Sequence, residues 1–142
     1  MNNKIYLIGL LLPCFVWASS HSATVDNRQQ AFSSIEEQLD AASDLIDGKD
    51  TNWTQLESTA TQLLAASETL KHSFPPGSSE GSKASEKIWQ DPAKFQQLMM
   101  QMDQGIAQLY QASQQRDTSM AEDGIDKAED TCRSCHRSYR SR

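Results

Sequence analysis

Apolar residues recur along this chain at alternating steps of three and four, which is the spacing of one face of an α-helix. The first stripe consists of Val25, Arg28, Phe32, Ile35, Leu39, Ala42 and Ile46, and Gly48 follows it. The second begins near Asn52 and consists of Trp53, Leu56, Ala60, Leu63, Leu70 and Phe74, with Pro75-Pro76 directly after it. Because glycine and proline end helices, these two segments are predicted as the first two helices.

Two further stripes lie beyond a segment of proline, glycine and serine, PPGSSEGSKAS, which is predicted as a linker. Asp91-Pro92 is a suitable start for a third helix, because aspartate caps helices and proline favours the first turn. The third face consists of Phe95, Met99, Met102, Ile106 and Leu109, and the fourth of Ile125, Ala128, Cys132, Cys135 and Tyr139. With no strand pattern, residues 24–142 are predicted as one all-α domain, an antiparallel up-down-up-down four-helix bundle.

Residues 1–18 have the features of a cleaved signal peptide. Lys4 precedes an apolar stretch, and Val16-Trp17-Ala18 places small residues at the −3 and −1 positions of a cleavage site. Cleavage at Ala23 is the alternative. A transmembrane anchor is the competing interpretation, but about 14 apolar residues are short for a bilayer that needs roughly 20. The prediction is therefore export to the periplasm, with removal of Cys14.

Loss of Lys4 leaves 12 basic residues against 19 acidic residues, a net charge of −7. An acidic surface without basic blocks argues against nucleic acid or an anionic membrane as a partner of the mature protein. The sequence shows no nucleophile or acid–base pair for catalysis either, so an enzyme is not expected.

The chemistry lies in Cys132-Arg-Ser-Cys135-His136, which holds the two cysteines of the mature chain. A disulfide across two residues would constrain the unfolded chain little. A structural zinc site usually needs four Cys or His ligands, and a thioredoxin-like pair is expected near a βαβ pattern. The motif matches covalent haem attachment, in which two thiols bind the two vinyl groups and the adjacent histidine binds the iron.

Spacing also predicts where this haem would lie. Cys132, Cys135 and His136 stand at i, i+3 and i+4, so they point to one side of the fourth helix. That side continues the face of Ile125 and Ala128, which makes it the core side. One haem c is therefore predicted to insert into one end of the bundle.

Three segments of the chain resemble the cytochrome c′ family, the class II c-type cytochromes. They are Arg28-Gln-Gln-Ala-Phe32, residues 74–89 from Phe-Pro-Pro-Gly to Ile-Trp, and Cys132-Arg-Ser-Cys-His-Arg-Ser-Tyr-Arg140. The resemblance covers essentially the whole mature chain. It implies a four-helix bundle, a five-coordinate iron with His136 as its one protein ligand, and a homodimer formed through the first two helices.

The same resemblance gives roles to residues that also have plainer interpretations. Phe32 would cover the distal face of the haem, where many members have leucine, although it could be an ordinary core residue. Arg140 would neighbour the proximal face, although a cation is favoured at any helix C-terminus. Trp89 would contact the haem wall or simply pack under the linker. Arg28 stands on the apolar stripe, where a haem propionate would explain a cation, although it could be a solvated charge.

Two functions remain from these observations. The predicted first helix has neither Met nor His as a second iron ligand, and Met99, Met100 and Met102 of the third helix are interpreted as core filler. Five-coordinate iron behind an apolar lid favours binding of nitric oxide and carbon monoxide, and the family is associated with nitric oxide binding and protection. The alternative is an electron-transfer cytochrome with a redox partner protein. His72 is expected at the surface.

Overall fold

The computed structural model of the protein describes residues 21–141. The predicted signal peptide, with Cys14, and the terminal Arg142 lie outside the described residues. None of the helices between residues 21 and 141 has the length and apolar character needed to cross a membrane.

Four long helices make up most of the described chain. They are α1 (Ser22–Leu45), α2 (Trp53–Lys71), α4 (Pro92–Gln115) and α5 (Thr118–Tyr139), and a short helix α3 (Lys87–Gln90) lies between α2 and α4. The predicted all-α fold, an up-down-up-down four-helix bundle, is confirmed. The single turn of α3 is an addition, because four residues are too few to produce a recognisable stripe.

Capping side chains mark where α2 and α5 begin. Asn52 accepts a hydrogen bond from the backbone N–H of Gln55 at 3.2 Å, and Asp117 accepts one from Met120 at 3.0 Å. Such acceptors satisfy N–H groups that have no partner within the helix. Asp91 and Pro92 stand at the start of α4 as predicted, but the Asp91 side chain makes no capping hydrogen bond.

Two helices end earlier than their stripes suggested. α1 ends at Leu45 rather than near Gly48, and α2 ends at Lys71 rather than at Phe74. Proline disfavours the helical conformation in the residue before it, so Phe74 cannot easily continue α2 into Pro75. The prediction that Phe74 is part of the α2 face is therefore wrong, and its ring extends from the connecting segment instead.

The stripes form the core that the pattern predicts, with two adjustments. Ile35, Leu56, Leu63, Ile106 and Leu109 are fully buried. On α1, the pattern predicted a buried Phe32, but Ala31 is buried and Phe32 is half-buried. On α4, the pattern predicted a buried Met99, but Leu98 is buried and Met99 is half-buried. Both half-buried side chains line a cavity at one end of the bundle.

The helix contacts explain the position of this cavity. α1 packs on α2, α2 on α4, and α4 on α5, whereas α1 and α5 meet at only a few residues. The cavity lies between the middle of α1 (residues 28–40) and the last turns of α5 and is also lined by α4. One corner of the bundle is therefore left open.

Candidate haem-binding site

The cavity has a volume of about 740 Å³. This is within the range of roughly 300–1,000 Å³ that is usual for ligand and cofactor pockets. Its apolar wall comes from α1, α3, α4, α5 and the segment after α2, and it includes Phe32, Ile35, Leu39, Phe74, Ile88, Phe95, Leu98, Met99, Met102 and Tyr139. Charged side chains such as Glu36, Lys83 and Arg140 belong to the exposed part of the lining.

α5 brings the three residues of the predicted haem motif to this cavity. Cys132, Cys135 and His136 all line it, as their spacing on one side of a helix predicts. Toward the middle of α5 the same stripe enters the core, where Ala128 is fully buried. The two cysteines are half-buried and His136 is exposed. The face of α5 therefore passes from core to cavity along its length.

The two thiols are unpaired and held in their neutral form. Both cysteines are free, so the alternative of a disulfide is not realised in this structure. Burial raises the pKa of Cys132, with a smaller contribution from the negative charge of Glu129. Burial, followed by the charge of Cys132, raises the pKa of Cys135 to about 11. Redox-active cysteine pairs normally show the opposite shift, so a thioredoxin-like activity does not fit.

Arg28 and Phe32 lie one turn apart on the cavity side of α1. Arg28 is only 2% exposed, and its guanidinium hydrogen-bonds to the segment of residues 73–82. Burial lowers the pKa of Arg28 from its ordinary value. It is therefore a buried cation rather than a solvated charge, and its predicted contact with a propionate stays a prediction.

A row of four aromatic rings crosses this end of the bundle. The ring of Phe74 is 6.2 Å from that of Phe32 and 4.8 Å from that of Phe95, and Phe95 is 5.5 Å from Tyr139. All three pairs are edge-to-face, a favourable arrangement for aromatic rings. The sequence assigned these residues to separate helix faces and did not predict that they meet. The available signal was that Phe74, Phe95 and Tyr139 stand near the helix ends that the topology brings to the haem motif, whereas Phe32 in the middle of α1 gave no such signal.

Of the two remaining predicted site residues, Arg140 lines the cavity and Trp89 does not. Arg140 is exposed and lines the cavity, and the backbone beside it is tied to the connecting segment by hydrogen bonds from Ser85 to Tyr139 (2.8 Å) and from Ser141 to Lys83 (2.9 Å).

Trp89 is not in the cavity lining, and its neighbour Ile88 is. The Trp89 indole donates a hydrogen bond to the Phe74 carbonyl at 3.2 Å, so it packs under the connecting segment, the plainer of its two interpretations. His72 is exposed, as expected.

The residues present fit a covalently attached haem. Cys132 and Cys135 are one helical turn apart, line the cavity and carry neutral thiols suited to thioether bonds. His136 follows as the predicted iron ligand, and the apolar walls suit a flat macrocycle that is itself largely apolar. Among residues 21–141 no group of three or more His, Cys, Asp or Glu side chains is arranged to hold a bare metal ion.

Comparison with known proteins agrees with this fit. The sequence model of the cytochrome C′ family matches residues 23–140. Cytochrome c prime from Shewanella frigidimarina is 25% identical, with a TM-score of 0.78 over 87% of this chain and 98% of that one. Cytochrome c′ from Thermochromatium tepidum is 16% identical, with a TM-score of 0.76 over the same shares.

A third structure, the nitric oxide complex of a mutant of cytochrome c prime from Alcaligenes xylosoxidans, is 22% identical, with a TM-score of 0.76 over 87% of this chain and 98% of that one. No curated protein sequence matches the chain. The family match covers the bundle and the haem motif together. The chain therefore belongs to the cytochrome c′ family of c-type haem proteins.

Proposed function

We propose that this protein binds nitric oxide and carbon monoxide in the periplasm and that it protects against nitric oxide. When bound, haem c supplies a five-coordinate iron that can take one neutral diatomic molecule. Cys132 and Cys135 would attach the haem to α5, and His136 would be the protein ligand of its iron. The other residues of the cavity decide which molecules reach the opposite side.

A cluster of apolar side chains in the cavity lining carries this proposal. Phe32, Ile35 and Leu39 face the cavity from α1, and Met102 faces it from α4. These four side chains offer no hydrogen-bond donor to dioxygen or to an anion, whereas nitric oxide and carbon monoxide do not depend on one. Gln29 and Ser33 of α1 also line the cavity, so the proposal requires that the gas binds beside Phe32 rather than beside them. A ring at position 32 also limits the space available, which favours the smallest ligands. One structural relative is itself a nitric oxide complex, which supports this choice of ligand.

Visible absorption spectra of the purified holoprotein test the proposal. We expect a five-coordinate, high-spin spectrum in the reduced protein and a clear change on addition of carbon monoxide or nitric oxide. A six-coordinate, low-spin spectrum that carbon monoxide leaves unchanged would contradict it. Met99 and Met102 are the methionines of the cavity wall, so Met99→Leu and Met102→Leu would then identify the second ligand.

Electron transfer is a second candidate function because of the charges beside the cavity. Lys83, Arg137 and Arg140 are exposed, and none of the ion pairs among residues 21–141 involves them. Glu36, Asp40 and Glu129 also line the cavity, so this second function requires that the three cations outweigh them and guide an acidic redox partner to this end of a protein whose net charge is −7.

The salt dependence of haem reduction by iron(II)–EDTA, a small anion, tests this second function. The reduction rate should fall as salt increases, and more steeply than in a Lys83→Glu variant. Lys49→Glu, an equal charge change at the opposite end of the bundle, is the control. A rate that rises with salt would show that the overall negative charge dominates.

The proposed location has its own test. N-terminal sequencing of the haem-containing protein from a periplasmic fraction should give a chain that begins at Ser19. A chain that begins at Thr24 would identify Ala23 as the cleavage site, and haem protein retained in the membrane fraction with Met1 intact would contradict export with cleavage.

A further inference from the structure

Arg28 is a buried cation whose charge meets no carboxylate. None of the ion pairs among residues 21–141 includes it. Its Nη1 donates to the Ser73 carbonyl at 3.2 Å and to the Ser78 hydroxyl at 2.8 Å. Its Nη2 donates to the Ser78 carbonyl at 2.5 Å and to the Ser82 hydroxyl at 2.6 Å. Burying an unpaired charge is unfavourable, and these four hydrogen bonds compensate for it in part. The burial of Arg28 therefore needs a structural reason.

The geometry of the guanidinium limits what else Arg28 can bind. Arginine has five N–H donors, and the four on Nη1 and Nη2 are directed at residues 73–82. The Nε–H alone is left for a carboxylate. The paired, fork-like contact by which arginine binds carboxylates strongly is therefore not available in this arrangement. Most of the hydrogen-bonding capacity of Arg28 is therefore used to hold residues 73–82.

The segment held by Arg28 carries Phe74. The Arg28 guanidinium carbon lies 4.9 Å from the centre of the Phe74 ring, within the range of a cation–π contact. Trp89 fixes the Phe74 carbonyl from another side, and Phe95 packs on the ring at 4.8 Å. The remaining neighbour in this row is Phe32, 6.2 Å away. Phe74 is thus held in place beside Phe32, and both rings line the cavity.

We propose that Arg28 is a positioning residue for gas access, which holds residues 73–82 so that Phe74 restrains Phe32. The inference rests on the proposed function and adds that a gas reaches the iron only after Phe32 moves aside. Arg28 and Phe32 belong to adjacent turns of α1, so the arginine that holds the segment and the ring that Phe74 restrains are on the same helix. A looser segment would let Phe74 retreat, and Phe32 would swing away more often.

Carbon monoxide association with the reduced holoprotein, measured by stopped flow, tests this inference. Arg28→Lys keeps the positive charge but replaces the planar fork by a single ammonium, which cannot reach Ser73, Ser78 and Ser82 together. The association rate should rise by roughly tenfold, the effect on a barrier of losing one or two hydrogen bonds. Arg116→Lys, the same change at an exposed arginine in the α4–α5 turn, is the matched control and should leave the rate unchanged.

A double-mutant cycle with Phe74→Leu shows whether Arg28 acts through Phe74. Phe74→Leu alone should raise the association rate, and Arg28→Lys should then add little. Equal, additive effects of Arg28→Lys in both backgrounds would overturn the inference and indicate direct action on the haem. Amide hydrogen exchange gives a second readout, because Arg28→Lys should speed exchange at Ser78 and Ser82. Unchanged exchange there would also overturn it.

Two further results separate the inference from the function on which it rests. If the reduced wild-type protein binds no carbon monoxide, the proposed function fails. If it binds carbon monoxide but Arg28→Lys leaves the rate unchanged, the inference alone fails. Ser82→Ala removes one acceptor of Arg28 without touching the arginine, together with the local hydrogen bonds of the Ser82 hydroxyl to the Ser79 carbonyl and the Ala84 N–H. It keeps the inference testable if Arg28→Lys does not fold. Ser82→Ala should raise the carbon monoxide association rate by less than Arg28→Lys does. An unchanged rate would count against the proposed role of Arg28.

Discussion

Arg28 and Phe32 stand one turn apart on the cavity side of α1 and differ in what they contact. Arg28 is buried and donates four hydrogen bonds to residues 73–82. Phe32 is half-buried, lines the cavity and contacts the Phe74 ring of that segment. At the scale of single residues, therefore, the α1 side of the cavity places a half-buried ring beside a cation that is held by four hydrogen bonds.

Truncating Phe32 is predicted to open this wall. Phe32→Ala should speed carbon monoxide association and strengthen binding, because the ligand no longer has to displace a ring. Fully buried Phe→Ala changes cost about 3–5 kcal/mol, and the half-buried ring should cost less, about 2–3 kcal/mol. Stopped flow and thermal unfolding measure the two effects. Phe32→Leu, which keeps an apolar branched side chain, is the control, and equal association rates in wild type and Phe32→Ala would remove Phe32 from the site.

Replacement of His136 tests the proximal ligand separately. His136→Ala should remove the native axial bond while Cys132 and Cys135 keep the haem attached. The expected result is a band that still stains for haem on a denaturing gel, together with a changed visible spectrum. An unchanged spectrum would show that His136 is not the ligand. His72→Ala, a change at an exposed histidine outside the cavity lining, is the control.

At the scale of elements, α4 and α5 approach closely because two glycines face each other. A Cβ added at Gly105 would lie 2.7 Å from the Gly124 carbonyl oxygen and 2.8 Å from the Ala128 nitrogen. A Cβ at Gly124 would lie 2.8 Å from the Leu109 nitrogen. These neighbours are backbone atoms that cannot move aside. The glycines therefore set the distance between the helix that carries the haem motif and the helix that forms the opposite wall.

Gly105→Ala is predicted to destabilise the bundle by about 1–2 kcal/mol. Overpacking typically costs about 1–3 kcal/mol. The higher helix propensity of alanine offsets up to about 1 kcal/mol of this cost. Chemical unfolding of the variant measures the difference in the free energy of unfolding. Gln104→Ala, at the exposed neighbouring position, should change stability by less than about 0.5 kcal/mol. A Gly105→Ala protein as stable as wild type would show that the two helices can separate without loss.

At the scale of the whole molecule, we propose that two copies pair through α1 and α2, as the family resemblance implies. No large apolar side chain of these two helices is exposed, and the exposed Met100 (57%) lies on α4. The interface is therefore expected to be modest, with association in the micromolar range. Because each copy carries a net charge of −7, repulsion should weaken the pair at low salt, and added salt should strengthen it.

Sedimentation of the holoprotein at micromolar concentration tests the pairing. The expected species has twice the mass of one chain with its haem, in a proportion that increases with salt. A single species with the mass of one chain at every concentration and salt level would contradict it. Met100→Gln, on the outer face of α4, is a control that should leave the dimer unchanged.

The sequence alone determined what depends on local patterns. Amphipathic periodicity predicts a helix because every position is tested against neighbours three and four residues away. It therefore located the four long helices, most of the core and the cavity side of α5. Cys132, Cys135 and His136 were predictable for the same reason, since a C-x-x-C-H motif combines its chemistry within five residues. The early end of α2 at Lys71 shows the limit, because the apolar stripe continued to Phe74 while Pro75 ended the helix.

Only the tertiary structure decided which side chains from different helices meet. Arg28 binds Ser73, Ser78 and Ser82, which are 45 to 54 residues away along the chain. Gly105 faces Gly124, and Phe74 lies between Phe32 and Phe95. A periodic pattern specifies the face that a helix buries. It does not specify how far the helix is shifted along its axis, or how it is rotated, relative to each neighbour. Packing of all the helices at once sets both quantities, and they determine whether Phe74 lies beside Phe32.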